Sequence, residues 1–179
     1  MIFQKPSTRT RISFEVGMYQ LGGHALYLSP NEIGLGKRES IADVARVVAR
    51  FTDGIMARVF GHSDVIELAK YADVPVICGL SDFTHPCQVL GDIFTAYEHK
   101  GRYENLTIAY VGDGNNVAHS WINLASRLNL DLRIGCPVGY EPNTELVQAA
   151  QAGGHSTVQV LHDPIQAVKN ADVIYTDVW

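Results

Sequence analysis

A chain of 179 residues with 46% apolar and 18% charged residues can bury one large core or two small ones, and a net charge of −5 argues against a nucleic-acid binder, which needs a basic face. The three cysteines, Cys78, Cys87 and Cys136, have no CxxC or CxxH spacing, so they outline neither a disulfide framework nor a metal site and suit a reducing compartment. No apolar run approaches the ~18 residues of a membrane span and the first residues lack a signal peptide's layout, so the expected location is cytoplasmic.

The chain is barely under way at KPSTRTRISFE, 5–15, where a helix is predicted over 8–21. Pro6 disfavours helix before itself and suits a helix entrance, and Ser7 or Thr8 can cap it. The free N–H groups of the first turn and the helix dipole then make an anion site. Arg9 adds a planar fork matched to phosphate oxygens, and Thr8 and Thr10 add hydroxyl donors. Taken alone, the same pattern also describes a capped surface helix with solvated arginines. Arg11, two residues beyond Arg9, points away from it and is given a structural role. No strand is predicted ahead of this helix.

A strand follows over 24–29, then a helix over 39–51 with Ile41, Val44, Ala45, Val48 and Phe51 on one face. The strand 54–59 carries Arg58 at its end, which should reach the crevice beyond the sheet, although alone it could equally be a surface charge. A helix over 63–72 and a strand over 75–80 lead into DFTHPCQ, 82–88, and a helix over 86–99. His85 and Gln88 thus stand at a strand's carboxyl end. Gln88 offers a carbonyl and an amide and His85 a ring donor, which suits a ligand carrying C=O and NH2 side by side. A histidine in a turn with a satisfied ring is the other reading.

The charged segment EHKGRYENL, 98–106, divides the chain into domains at 1–100, including the linking helix 86–99, and 105–179. The second domain opens with a strand over 106–112, the turn GDGNN and a helix over 115–129. A dinucleotide fingerprint would need a third glycine where Val117 stands and an acidic residue ending the next strand, and both are missing. Asn115 and Asn116 offer neutral amides instead, while His119 is expected to pack. Strands over 131–136, 157–161 and 172–176 alternate with helices over 143–152 and 164–170, capped by Asn143 and Asp163. Asp177 follows the last strand, where a carboxylate could hold an ammonium group or simply cap a loop. This alternation predicts an α/β protein of two parallel-sheet domains, the second doubly wound and Rossmann-like. Each domain reads as incomplete, so the chain is expected to be a piece of something longer, truncated at both ends.

Taken together, FxKPSTRTRxSFE, KRESIADVARV, HPCQ, GDGNNV and TDVW resemble the ornithine carbamoyltransferases, within the aspartate/ornithine transcarbamylase family. The resemblance implies transfer of a carbamoyl group from carbamoyl phosphate to the side-chain amine of L-ornithine, giving L-citrulline and phosphate. It implies that Ser7, Thr8, Arg9 and Thr10 bind the phosphate, that Arg58 bridges phosphate and carbamoyl oxygen, and that His85 and Gln88 hold the carbamoyl group. Arg58 and His85 are then the catalytic oxyanion donors, and Asn116 and Asp177 match positions that bind ornithine. Cys87 separates this branch from the aspartate enzymes, which usually carry threonine there. Neither a metal nor an organic cofactor is implied, and the assembly would be a homotrimer or a multiple of trimers, with no nucleic-acid or membrane partner.

The family's Ser-Met-Gly and His-Cys-Leu-Pro segments are absent, and Gly34 stands where many relatives carry Gln or His. A sister transcarbamylase accepting putrescine, acetylornithine or aspartate, and a catalytically silent phosphate-binding module, are the alternatives; the fragment alone is expected to be inactive.

Overall fold

In the computed structural model, which describes residues 1–178, contacts divide the chain into two units, Met1–Phe83 and Thr84–Trp179, each built on its own parallel sheet. The first unit holds strands β1 (Ile2–Phe3), β2 (Ile55–Arg58) and β3 (Val76–Leu80) in the order β1-β2-β3. Side chains alternate across a strand. Ile2, Ile55, Ala57 and Val59 therefore share a core with Val44 and Ala45 of helix α3 (Ile41–Ala49) and Val65 and Leu68 of α4 (His62–Tyr71). Arg58 belongs to the other face. Its register partner on β1 is Phe3, and the ladder to β3 slips by one residue between Ala57 and Arg58.

Helix α1 (Thr8–Gln20) starts a few residues after β1, and none of its residues is buried. The strand β1 corrects the expectation that nothing precedes this helix; two residues are too few to show a period in sequence. Conversely, the predicted strand 24–29 is reduced to one bridge between Leu28 and Ile2. A short helix, α2 (Pro30–Ile33), went unpredicted although Ser29 and Glu32 form a full capping box ahead of it. Gly34 ends α2 in the left-handed conformation, φ 50°. Phe51 leaves the predicted apolar face because α3 stops at Ala49, and it is 83% exposed.

The second unit holds β4 (Leu106–Val111), β5 (Leu130–Gly135), β6 (Thr157–Leu161) and β7 (Val173–Tyr175), all parallel, in the order β6-β5-β4-β7. The chain steps outward from β4 through α6 (Asn116–Ala125) and α7 (Thr144–Ala152), then returns past β4 through α8 (Pro164–Val168). Right-handed crossovers place α8 on the face opposite α6 and α7, so this sheet is doubly wound. A Cβ on Gly135 would lie 3.0 Å from Ala167 Cβ, which shows how closely α8 lies on β5. Helix α5 (Pro86–Lys100) contributes Val89, Ile93 and Ala96 to the core formed by Leu106, Ile108, Trp121 and Leu132. By packing α5 therefore joins the second unit, whereas the charged stretch places a boundary after it. Helix α6 stops at Ala125, four residues short of expectation, where the N–H groups of Arg127 and Leu128 both turn back to the Leu124 carbonyl.

Candidate active site

The entrance of α1 is built as its composition suggests. Ser7, not Thr8, is the cap: its Oγ accepts from the Thr10 N–H at 3.4 Å and donates to Thr10 Oγ1 at 3.1 Å. Gln4 N–H donates to the Arg58 carbonyl at 2.8 Å, which seats the segment before the cap against the end of β2. Arg58 Nη1 in turn donates to Thr10 Oγ1 at a long 3.4 Å. Strand end, helix entrance and guanidinium thus converge within the first unit.

Electrostatically this convergence is unbalanced. Neither Arg9 nor Arg58 forms an ion pair among the described residues. Arg58 Nε is buried without an acceptor, and burial, then the Arg9 charge nearby, lowers the Arg58 pKa. An arginine does not give up its proton under such pressure. Two guanidinium groups and a helix N-terminus thus lie together without an anionic partner among the described residues, an arrangement whose donors match the oxygens of an anion. Arg11 stands apart, bound to Glu15 at 2.9 Å and lying 4.0 Å over the Tyr27 ring.

A hydroxyl–imidazole contact elsewhere in this unit, His62 Nδ1 to Ser81 Oγ at 2.9 Å, is not a nucleophilic triad. The nearby Asp82 carboxylate accepts from the His62 backbone N–H, not the ring, and Ser81 Oγ also accepts from the Phe83 N–H.

In the second unit His85 is the N-cap residue of α5, with Pro86 in the first turn. Its backbone N–H donates to Ser120 Oγ at 2.7 Å, and that hydroxyl donates to the Asn116 carbonyl at 2.8 Å. The buried Ser120 therefore ties the entrance of α5 to the first turn of α6. Gln88, one turn further, is exposed, and its Nε2 donates to Asp92 Oδ1 at 2.9 Å.

The strand order reverses between β4 and β7, and ligands of open α/β sheets bind beyond the carboxyl ends of strands at such a point. Asn115, following β4, and Asp177, following β7, are joined there by a bond from Nδ2 to Oδ2 of 3.1 Å. Asn115 Oδ1 caps α6 by accepting from the Val117 and Ala118 N–H groups at 2.9 and 3.2 Å, and also accepts from the Tyr110 hydroxyl at 3.1 Å. Burial, then Asp113 and Asp177, raises the Tyr110 pKa, so the hydroxyl remains a neutral donor. Asn116, singled out in sequence, occupies the first position of α6 beside this network. Asn115, read in sequence with Asn116 as a neutral amide, proves to be the N-cap of α6. Ser120, Asp92 and Tyr175 carry no signal for the site in the sequence.

The turn GDGNN departs from a dinucleotide site for a steric reason. A Cβ on Gly114 would lie 2.1 Å from Pro142 N and 2.4 Å from Glu141 C. The close approach that a second glycine gives a pyrophosphate is here taken by the chain's own backbone, with Gly114 N–H bound to the Tyr140 carbonyl at 2.7 Å. His119 packs as expected: it is buried, and its Nε2 accepts from the Asn143 N–H at 3.0 Å, steadying the cap of α7. Among the described residues no group of three His, Cys, Asp or Glu side chains could hold a metal ion.

Two parallel-sheet α/β units, one with a capped helix entrance beside Arg9 and Arg58 and the other with a polar network where its strand order reverses, define the class of fold. The family follows from comparison with known proteins. A family model described as the carbamoyl-P binding domain of aspartate/ornithine carbamoyltransferase matches residues 1–98, and one described as its Asp/Orn binding domain matches 104–179. The chain belongs to the aspartate/ornithine carbamoyltransferase family.

It is 60% identical over its whole length to an ornithine carbamoyltransferase of Thermococcus kodakarensis, of which it covers 58%. It is 54% identical, again over its whole length, to a chloroplastic ornithine carbamoyltransferase of Pisum sativum, covering 48% of that protein. The chain thus spans about half the length of these curated relatives. The solved ornithine carbamoyltransferase of Pyrococcus furiosus superposes with a TM-score of 0.93 at 56% identity, covering all of this chain and 58% of that one. Trp179, which closes the TDVW motif, lies outside the described residues.

Proposed function

We propose that the protein transfers the carbamoyl group of carbamoyl phosphate to the side-chain amine of L-ornithine, releasing phosphate and giving L-citrulline. The observation that supports this best is the pair Arg9 and Arg58 at the α1 entrance, with Arg58 Nε buried and lacking an acceptor. Ser7, Thr8, Arg9 and Thr10 would bind the phosphate. Arg58 would bridge phosphate and carbamoyl oxygen, His85 would donate to the carbamoyl oxygen, and Gln88 would hold the carbamoyl group. Asn116 and Asp177 would bind ornithine, Asp177 taking its α-ammonium.

In this reaction the lone pair of the neutral amine attacks the carbamoyl carbon. Negative charge builds on the carbamoyl oxygen, where Arg58 and His85 stabilise it. The tetrahedral intermediate collapses, the C–O bond to phosphate breaks, the phosphate leaves with its electron pair, and the attacking nitrogen loses a proton. Positioning and charge stabilisation suffice, so neither metal nor organic cofactor enters.

The working assembly is read as a homotrimer or a multiple of trimers. In support, α1 buries none of its residues while Ile12 and Val16 stand 54% and 46% exposed, as a helix packing on another chain would leave them. A cytoplasmic location is read from the number and spacing of the three cysteines, which suit a reducing compartment. No helix among the described residues is long and apolar enough to cross a membrane.

The test is Arg9→Ala in the complete protein, measuring carbamoyl-phosphate binding by calorimetry. A charge-assisted contact contributes roughly 1.5–3 kcal/mol, so the dissociation constant should rise about 10- to 150-fold. Unchanged affinity would remove the anion site from α1.

A further inference from the structure

Gln88 has a side chain whose two ends demand opposite partners, and the sequence does not say which end a ligand meets. The second unit decides this through a residue with no assigned role. Gln88 and Asp92 lie one turn apart on α5, flanked by the buried Val89 and Ile93, so both side chains leave the helix along the same stripe. Gln88 Nε2 donates to Asp92 Oδ1 at 2.9 Å. An ionised carboxylate only accepts, so the NH2 end must face Asp92 and Oε1 must face away. Asp92 is half-buried beside β7: its Oδ2 is buried without a hydrogen-bond partner, and the Tyr175 side chain influences its carboxyl. Burial raises the Asp92 pKa, and burial together with Asp92 raises that of Tyr175, as a carboxylate set into a half-covered wall requires.

We infer that Asp92 is a positioning residue that fixes the Gln88 amide so that Oε1, and not the NH2, is offered to an amide-bearing ligand. Resting on the carbamoyl-transfer reading above, this makes Gln88 the acceptor for the carbamoyl NH2 and gives the site its means of telling a carbamoyl group from an acyl group. An acetyl group carries a methyl where the carbamoyl group carries its NH2, so it has nothing to donate to Oε1.

The experiment compares carbamoyl phosphate with acetyl phosphate as competing ligands of the complete protein. Asp92→Asn can present an N–H as readily as an oxygen, so Gln88 is no longer held in one orientation. Carbamoyl-phosphate affinity should fall about tenfold, while acetyl-phosphate affinity should change less than twofold. Gln88→Met removes the amide outright, and in that background Asp92→Asn should have no further effect on carbamoyl-phosphate affinity, because Asp92 acts only through Gln88. An equal loss for both ligands, or a full Asp92→Asn effect in the Gln88→Met background, would overturn the inference alone and leave Asp92 a packing residue. Failure of the unsubstituted protein to bind carbamoyl phosphate would overturn the functional reading and this inference with it.

Discussion

Replacing Arg58 by methionine separates a residue kept for ligand from one kept for fold. In the ligand-free protein Arg58 gains one long bond to Thr10, 3.4 Å, which lies at the weak end of net hydrogen-bond contributions, about 0.5 kcal/mol. Against it stands a buried Nε with no acceptor, a group whose desolvation costs roughly 1–3 kcal/mol, and the repulsion of Arg9. Because the side chain is only partly buried, solvent screening favours the low end, about 1 kcal/mol. Methionine fills similar volume without the charge, so stability should change by less than about 1 kcal/mol in either direction, whereas breaking a structural buried pair would cost about 3–5 kcal/mol. Ligand binding should lose charge-assisted contacts worth roughly 1.5–3 kcal/mol, or about 10- to 150-fold in affinity. Thermal melts of the complete protein, with and without saturating phosphate, read both quantities, since ligand stabilisation follows RT ln(1 + [L]/Kd). The expected result is an almost unmoved melting temperature without phosphate and a lost upward shift with it. A large drop without phosphate together with a preserved shift would refute the reasoning, because it would make Arg58 a structural residue.

Three further substitutions probe the second unit. Gly114→Ala drives a Cβ into the Glu141–Pro142 backbone at 2.1–2.4 Å, which no rotamer relieves, so the variant should lose more than about 3 kcal/mol by denaturant titration or fail to accumulate folded. Asn115→Ala removes the cap of α6, the acceptor of the Tyr110 hydroxyl and the tether on Asp177 at once; a loss of roughly 2–4 kcal/mol is expected, with a raised KM for ornithine and little change in carbamoyl-phosphate affinity. The Asp172 pKa is held down first by the Thr107 N–H, at 3.0 Å, and also by Arg102. A depressed carboxylate stabilises the fold above its unfolded pKa, about 3.9, and that contribution disappears as pH falls through the lower folded value. Asp172→Asn should therefore destabilise at neutral pH, and the difference from the parent should close on acidification.

Much of the architecture was legible because each half of the chain repeats a strong local grammar. The strands 106–112, 131–136 and 157–161 are apolar runs between turn residues, and the caps Asn143 and Asp163 stand where the helices begin. What failed was short or set by tertiary contact. β1 has two residues, α2 has four, and the run at 24–29 never finds a strand partner beyond Leu28. The capped entrance of α1 was legible because a helix entrance is a local object. The polar network of the second unit was not. Asn115 reaches Asp177 across 62 positions, His85 leans on Ser120 across 35, and Asp92 appears in sequence as one acidic residue on an amphipathic helix. Only the parallel pairing of β4 with β7 brings Asp177 to Tyr110 and Asn115.

The most direct measurement is citrulline formation by the complete protein from carbamoyl phosphate and L-ornithine, run beside putrescine, acetylornithine and aspartate as acceptors. Citrulline should form with ornithine at a kcat/KM well above that for the other three amines, and Arg58→Met should abolish it. No turnover with any amine, or a preference for aspartate, putrescine or acetylornithine, would contradict ornithine carbamoyl transfer.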